Sequence, residues 1–153
     1  MSVGEAYRAR VEAGRIAADP AQEAAVAALD RVRADLLKAP PKRGLFRSKA
    51  PEGVRGLYLW GGVGRGKSML MDLMVEETEV PRLRRHFHAF MQWAHAEIGR
   101  ARKRGVDDPI RPVADDLAGE IRLLAFDEMQ ITDITDAMIV GRLFERLFEK
   151  GVT

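Results

Sequence analysis

The residues with the clearest chemical meaning form a glycine-rich loop. The loop reads Gly61-Gly62-Val63-Gly64-Arg65-Gly66-Lys67-Ser68 and fits the pattern G-x-x-x-x-G-K-[ST], called Walker A. Glycines let the backbone fold so tightly that successive N–H groups can face an anion. Lys67 can then reach the β- and γ-phosphates of a nucleotide, and the Ser68 hydroxyl can bind Mg²⁺. The predicted ligands are therefore ATP, or another nucleoside triphosphate, and Mg²⁺.

The segments on either side of the loop support this interpretation. Residues 56–60 are a short apolar run that predicts a buried strand, and residues 68–77 predict a helix. Strand, loop and helix make up the unit that the motif requires, and the helix N-terminus adds its positive dipole end. A glycine-rich turn before an unrelated lysine is the alternative. We predict nucleotide contacts from Gly61, Gly62, Val63, Gly64, Arg65, Gly66, Lys67, Ser68 and Met69.

A second apolar run ends in two acids. Residues 121–126 predict a buried strand, followed by Asp127 and Glu128. Ligands of open α/β sheets bind at the carboxyl ends of the strands. Asp127 would hold Mg²⁺ through water, with Ser68 as the other metal ligand. Glu128 would activate the attacking water, as in a Walker B motif, and the catalytic residues would be Lys67 and Glu128. Solvated acids often end strands, so the pair gains its meaning from the upstream loop.

Composition narrows the class of protein. The chain has 153 residues, 46% of them hydrophobic, with a net charge of +2 and no cysteine. A globular fold with a real core is expected. Disulfides, thiolate-bound zinc and cysteine catalysis are excluded, which suits a reducing cytoplasm. No apolar run reaches the ~18 residues of a membrane span, and no signal peptide is recognisable. The mild basic bias makes nucleic acid an unfavoured partner.

Three regions follow one another along the chain. Residues 1–40 predict an N-terminal helical segment with helices over 5–15 and 20–38. Asp19 is the expected N-cap of the second helix, and Gln22 is a candidate for contact with adenine. Residues 41–55 form a basic, Pro/Gly-rich connector. Residues 56–153 would be a partial nucleotide-binding core.

The core region contains further predicted elements. We expect a strand over 84–90, a helix over 91–104, and a short helix within 105–120. A last helix should run from about 137 to 150 and stop at Gly151. Its predicted buried stripe is Ala137, Val140, Phe144, Leu147 and Phe148.

The three histidines could suggest a metal site. His86 and His88 would share one face of the predicted strand, and His95 follows on the helix. No acid or thiol lies at metal-ligand spacing, so hydrogen-bonded structural histidines are the favoured interpretation.

Three segments together resemble one family. They are GLYLWGGVGRGKSMLMD at 56–72, HFHAFM at 86–91 and FDEMQITDITDAMI at 126–139. All three are similar to segments of the AFG1-like AAA+ ATPases, with substitutions at Met129, Ile131 and Thr135. The resemblance implies an α/β P-loop NTPase with a three-layer core and a parallel sheet, preceded by N-terminal helices. It also implies ATP hydrolysis that remodels a protein partner, and a homo-oligomeric ring.

The resemblance carries further expectations about location and partner. In bacteria it implies action on the FtsZ division ring, in the cytoplasm or at the periphery of the inner membrane. In mitochondria it implies inner-membrane protein quality control.

The chain ends at Thr153, before several parts of the family pattern. A strand ending in Thr-Ser-Asn, with its sensor asparagine, and an arginine finger would come later. We therefore expect an amino-terminal fragment that is truncated after the Walker B strand and its helix. Such a chain should hydrolyse ATP weakly or not at all, because transition-state charge is left uncompensated. Its Walker B strand should have an exposed edge.

Other classes of function remain open from the residues. The runner-up is a nucleic-acid-associated ATPase of the helicase-loader type. The arginines near 100–104 are compatible with this function, because they could bind phosphates of a nucleic acid. A small-molecule kinase is less favoured, because Asp127 and Glu128 suit activation of water. No Asp-x-x-Gly switch supports a GTPase. A nucleotide-binding fragment without turnover is the fourth class.

Overall fold

The computed structural model describes residues 1–38, 54–59 and 66–153. It is rich in helices and contains a small parallel sheet. The elements in chain order are α1 (Val3–Glu12), α2 (Pro20–Lys38), α3 (Lys67–Glu77), β1 (Arg82–His86), α4 (Phe87–Lys103), α5 (Ile110–Glu120), β2 (Leu123–Asp127) and α6 (Ile134–Glu149). None of the helices in these residues is long and apolar enough to cross a membrane.

The described residues group into two compact units. The first contains residues 1–38, 54–59 and 66–80, and the second contains residues 81–153. The predicted division of the chain at residues 40 and 55 rests on the order of its sequence motifs, not on contacts between residues. That division stays a prediction.

The first unit is built from α1, α2 and α3, which pack on one another. Helix α1 begins with a capping box, in which Ser2 Oγ accepts the Glu5 N–H (3.0 Å) and Glu5 Oε2 accepts the Ser2 N–H (2.7 Å). It starts two residues before the predicted helix because this cap satisfies its first N–H groups. Asp19 caps α2 as predicted, since its Oδ1 accepts the Ala21 N–H (2.9 Å).

The predicted strand over residues 56–60 is not formed in its described part. Residues 54–59 have no regular secondary structure, and Trp60 lies outside the described residues. The side chains of Leu57 and Tyr58 are 37% and 68% exposed. An apolar run becomes a strand only when a neighbouring strand takes up its backbone hydrogen bonds. In the described part of the chain, only β1 and β2 pair with each other.

Strands β1 and β2 pair in parallel, with Arg82 opposite Leu123 and His86 opposite Asp127. The sequence prediction of a strand over 84–90 was wrong in its second half, because the strand ends at His86 and α4 begins at Phe87. Both Phe87 and Phe90 are buried, at the spacing of one helical turn. Tertiary packing of this apolar face therefore outweighs the local alternation that suggested a strand.

The second edge of β2 is partly covered. Thr153 donates its N–H to the Arg122 carbonyl (2.8 Å), and its own carbonyl accepts the Leu124 N–H (2.8 Å). Such a pair of bonds is the pattern of a parallel bridge. The expectation of an exposed edge on this strand is therefore wrong at its first residues.

A tight turn brings Thr153 to this edge. Gly151 has φ +87°, its N–H bonds to the Phe148 carbonyl (3.0 Å), and the Val152 N–H bonds to the Leu147 carbonyl (3.0 Å). These two bonds make a Schellman motif, so the predicted stop at Gly151 is confirmed.

Helix α6 differs from its prediction in start and in buried face. It begins at Ile134, where the Asp133 side chain accepts the Thr135 N–H (2.7 Å). Its buried residues are Val140, Leu143 and Leu147. Of the predicted stripe, Ala137 is exposed and Phe148 is 55% exposed, so these two positions were wrong. The stripe was drawn too wide, because only one side of α6 packs on the core.

Candidate functional site

The described end of the glycine loop leads directly into α3. Gly66 is the N-cap of this helix at φ +72°, and its carbonyl accepts the Leu70 N–H (3.0 Å). Lys67 and Ser68 are therefore the first two helical residues. The first N–H groups of a helix have no partner within the helix, so this turn offers donors and a positive dipole end to an anion. Residues Gly61, Gly62, Val63, Gly64 and Arg65 lie outside the described residues.

Helix α3 holds this turn through its buried face. Leu70, Leu73 and Met74 are at most 2% exposed. At the far end, the fully buried Thr78 donates its hydroxyl to the Met74 carbonyl (2.6 Å). Lys67 and Met69 are half-buried, and Ser68 is exposed. The buried face of α3 therefore holds the first turn of this helix in place.

In the second unit, Phe126 determines which way Asp127 faces. The Phe126 ring stacks on Phe144 (5.7 Å between centroids) and meets Phe90 (4.6 Å) and Phe87 (5.6 Å). Successive side chains of a strand point to opposite faces. Because Phe126 faces the aromatic cluster, Asp127 faces away from it, at the carboxyl end of β2.

Two side chains of β1 bind the Asp127 carboxylate. Arg84 Nη2 donates to Asp127 Oδ2 at 2.7 Å, and His86 Nδ1 lies 2.9 Å from Oδ1. The Asp127 side chain is 11% exposed, whereas that of His86 is 70% exposed. Arg84 and His86 alternate along one face of β1, and the parallel register sets His86 opposite Asp127. The carboxylate is therefore held in a defined orientation by one guanidinium and one imidazole.

The chemistry of Asp127 fits a magnesium ion. Mg²⁺ prefers oxygen ligands and keeps several of its waters. A carboxylate oxygen can accept about two hydrogen bonds. Arg84 and His86 each engage one oxygen, and a carboxylate held in this way is the type of ligand that hydrated Mg²⁺ binds.

Glu128 is the single described residue other than glycine with a positive φ, at +53°. The left-handed region is unfavourable for residues with a Cβ atom. At Glu128 the chain leaves the strand, and the side chain is exposed. The strained conformation therefore lies at the residue predicted to activate water, a place where backbone strain is often functional.

Two of the three histidines have acid partners that the sequence did not reveal. His86 pairs with Asp127, and His95 Nε2 lies 2.7 Å from Asp136 Oδ1. His88 lies in the first turn of α4. The prediction that it shares a strand face with His86 was therefore wrong. Within the described ranges, no group of three or more histidine or acidic side chains could hold a metal ion.

The predicted site residues fall into both units. Lys67, Ser68 and Met69 belong to the first unit, and Asp127 and Glu128 belong to the second. Sequence reasoning missed Arg84, whose guanidinium binds the Asp127 carboxylate. Its alternation with His86, just before a helix, was the available signal.

A glycine loop that opens a helix at Lys-Ser, and a parallel strand that ends in Asp-Glu, are features of the P-loop NTPases. The model of the AFG1-like ATPase family matches residues 1–153. The chain therefore belongs to this family of P-loop NTPases.

The similar proteins come from bacteria and eukaryotes. The chain is 48% identical over 101 residues to the cell division protein ZapE of Escherichia coli K12, covering 65% of this chain and 26% of that protein. It is 44% identical over 115 residues to lactation elevated protein 1 homolog B of Danio rerio, covering 69% and 23%. An uncharacterized protein of Schizosaccharomyces pombe is 35% identical over 184 positions, covering 97% and 40%. The chain thus spans about a quarter of the first two relatives. No solved structure is significantly similar to it.

Proposed function

We propose that this chain is the nucleotide-binding part of an ATPase that uses ATP hydrolysis to remodel a protein partner. The observation that carries the proposal is the helix start at Lys67. A left-handed Gly66 occupies the second glycine position of G-x-x-x-x-G-K-S, and α3 begins at the next residue, so its positive dipole end lies at the loop. Such a helix start suits the phosphates of a nucleotide. Membership of the AFG1-like ATPase family supports ATP as the nucleotide.

The residues then take separate roles in the proposed site. Residues 61–69 surround the phosphates, and Lys67 neutralises charge on the β- and γ-phosphates. Ser68 and Asp127 hold Mg²⁺, Asp127 through water. The metal, when bound, offsets the charge that develops on the phosphate oxygens. Glu128 orients the attacking water and accepts its proton.

The surrounding architecture follows the family. Residues 56–153 would contribute to a three-layer AAA+ core with a parallel sheet, with residues 1–40 as a helical segment before it and residues 41–55 as a connector. Sites of this class are completed by an arginine from a neighbouring subunit, so a homo-oligomeric ring is part of the proposal.

The partner is inferred from the relatives. One of them is named a cell division protein. We therefore propose a role in cell division with an FtsZ-like protein as partner, in the cytoplasm or at the periphery of the inner membrane. Cosedimentation with FtsZ filaments, with and without ATP, tests this part. A binding to DNA that falls steeply with salt would instead favour the helicase-loader type of ATPase.

Calorimetric titration of Mg²⁺·ATP tests the nucleotide site. Lys67→Ala should abolish tight binding, because the cation that faces the β- and γ-phosphates is removed. Lys103→Ala is the matched control, since Lys103 is an exposed lysine at the end of α4. Equal ATP affinity in the parent and in Lys67→Ala would contradict the assignment of the loop.

Two variants separate the proposed roles of the acids. In a version of the protein that turns over ATP, Glu128→Gln should keep the affinity for Mg²⁺·ATP while turnover falls by roughly 10²–10⁴-fold. Asp127→Asn should weaken the dependence of ATP binding on Mg²⁺. Undiminished turnover in Glu128→Gln would remove Glu128 from the mechanism.

A further inference from the structure

The hydroxyl of Tyr7 connects two points at the start of α2. Tyr7 lies in α1 and is 3% exposed. Its oxygen accepts the backbone N–H of Asp19 (3.2 Å), and its proton is donated to Gln22 Oε1 (3.1 Å). An amide group has its acceptor oxygen and its donor nitrogen on opposite sides. Because Oε1 faces Tyr7, the Nε2 end of Gln22 must face the other way.

The Nε2 end of Gln22 lies against the last glycine of the loop. A Cβ atom built on Gly66 would be only 2.6 Å from Gln22 Nε2. No such close approach could exist beside a residue with a side chain. Gly66 is also the residue at φ +72° that turns the loop into α3. The amide of Gln22 is therefore packed against the point where the loop becomes a helix.

Hydrogen bonds between the three helices of the first unit fix the position of Gln22. Asp19 caps α2 three residues before Gln22, so the first turn of α2 has a fixed geometry. The Asp30 carboxylate accepts the N–H groups of Val3 (2.7 Å) and Gly4 (2.9 Å), which attaches the start of α1 to α2. Arg33 Nε donates to the Glu77 carbonyl (2.6 Å) and so attaches α2 to the end of α3. All three helices belong to one compact unit.

We infer that Gln22, oriented by Tyr7, is a positioning residue that holds the phosphate-binding loop at Gly66. The role presupposes the nucleotide site proposed above. Gln22 acts through the backbone of Gly66, which in turn directs the Lys67 N–H and side chain toward the phosphates. The N-terminal helices are then part of the nucleotide site. Gln22 need not touch the base, in contrast to the adenine contact that its place in the sequence suggested.

The test compares three ligands by calorimetry: ATP, ADP and inorganic tripolyphosphate, each with Mg²⁺. Gln22→Ala removes the amide, and Tyr7→Phe removes one hydroxyl from a buried ring. Each should weaken all three ligands by a similar factor of roughly 2- to 10-fold, the equivalent of one hydrogen bond. The double variant should bind no more weakly than Gln22→Ala alone, because both changes break one chain of contacts.

Further variants keep the test independent of folding defects. Gln22→Glu retains the acceptor for Tyr7 but removes the amide donor beside Gly66, so it should lose affinity as Gln22→Ala does. Gln92→Ala changes an exposed glutamine of α4 and should bind all three ligands as the parent does. Melting temperatures without ligand show whether a variant is merely less stable.

Several results would overturn the positioning role. Parent-like affinity in both Gln22 variants would do so, as would a lower melting temperature without loss of affinity. Additive losses in the double variant would show that Tyr7 acts independently of Gln22. Weaker ATP binding with unchanged tripolyphosphate binding would assign Gln22 to the base. If the parent binds none of the three ligands, both this role and the proposed function are wrong.

Discussion

Replacing Glu128 with glycine should make the second unit more stable while removing a proposed catalytic group. Glu128 has φ +53°. The left-handed region costs a residue with a Cβ about 1–2 kcal/mol. Glycine also lowers the free energy of unfolding by about 0.4–1 kcal/mol, because it gives the unfolded chain more conformational entropy. The free energy of unfolding should therefore rise by roughly 0.5–1 kcal/mol.

The assay follows one tryptophan in the unit that contains residue 128. The chain has two tryptophans, so a Trp60→Phe background leaves Trp93 as the only one. Trp93 contacts Phe90 (5.4 Å between centroids), in the core of the same unit. Urea unfolding followed by Trp93 fluorescence then reports on this unit.

Glu128→Ala is the matched control. It removes the same carboxylate but keeps a Cβ in the strained conformation, so the difference between Gly and Ala isolates the backbone. We expect the glycine variant to be more stable than the alanine variant by the same amount, roughly 0.5–1 kcal/mol. Both should lose ATP turnover, because neither can activate water. Equal stability of the two variants would refute the view that strain is stored at this residue.

Three further changes test other parts of the structure. Gly66→Ala should weaken ATP binding even when Gln22→Ala removes the close contact, because φ +72° remains unfavourable for alanine; parent-like affinity would refute this. Gly151→Ala should destabilise the second unit by about 1 kcal/mol in the same tryptophan assay, because φ is +87° there. A hydrogen bond from Arg146 lowers the pKa of Asp115. The ionised Asp115 carboxylate therefore stabilises the folded state at pH values above the pKa that Asp115 has in the unfolded chain. This stabilisation is lost as the pH falls through the lower pKa of Asp115 in the folded state. Asp115→Asn should therefore lose less stability than the parent between about pH 5 and pH 2.

The helix ends show how far local sequence determines this fold. Asp19 as N-cap and Gly151 as stop were predictable, because each acts on backbone groups within a few residues. The helices over 20–38 and 68–77 were also predicted within a residue of their ends. Where the signal was a short apolar run or a short alternation, the prediction failed over residues 56–59 and in the second half of residues 84–90. Such runs depend on partners distant in the sequence.

For the candidate site, the sequence alone determined the residue types and their order. The spacing of Gly66, Lys67 and Ser68, and the pair Asp127 and Glu128, can be recognised without coordinates because they depend on neighbouring residues. The structure alone decided their surroundings.

Only the tertiary structure brought Arg84 and His86 to Asp127, since a parallel register across two strands sets that contact. It also set Gln22 against Gly66, through a helix more than forty positions away in sequence. Contacts between distant segments arise from the packing of whole elements. The spacing of residues within one segment cannot determine them.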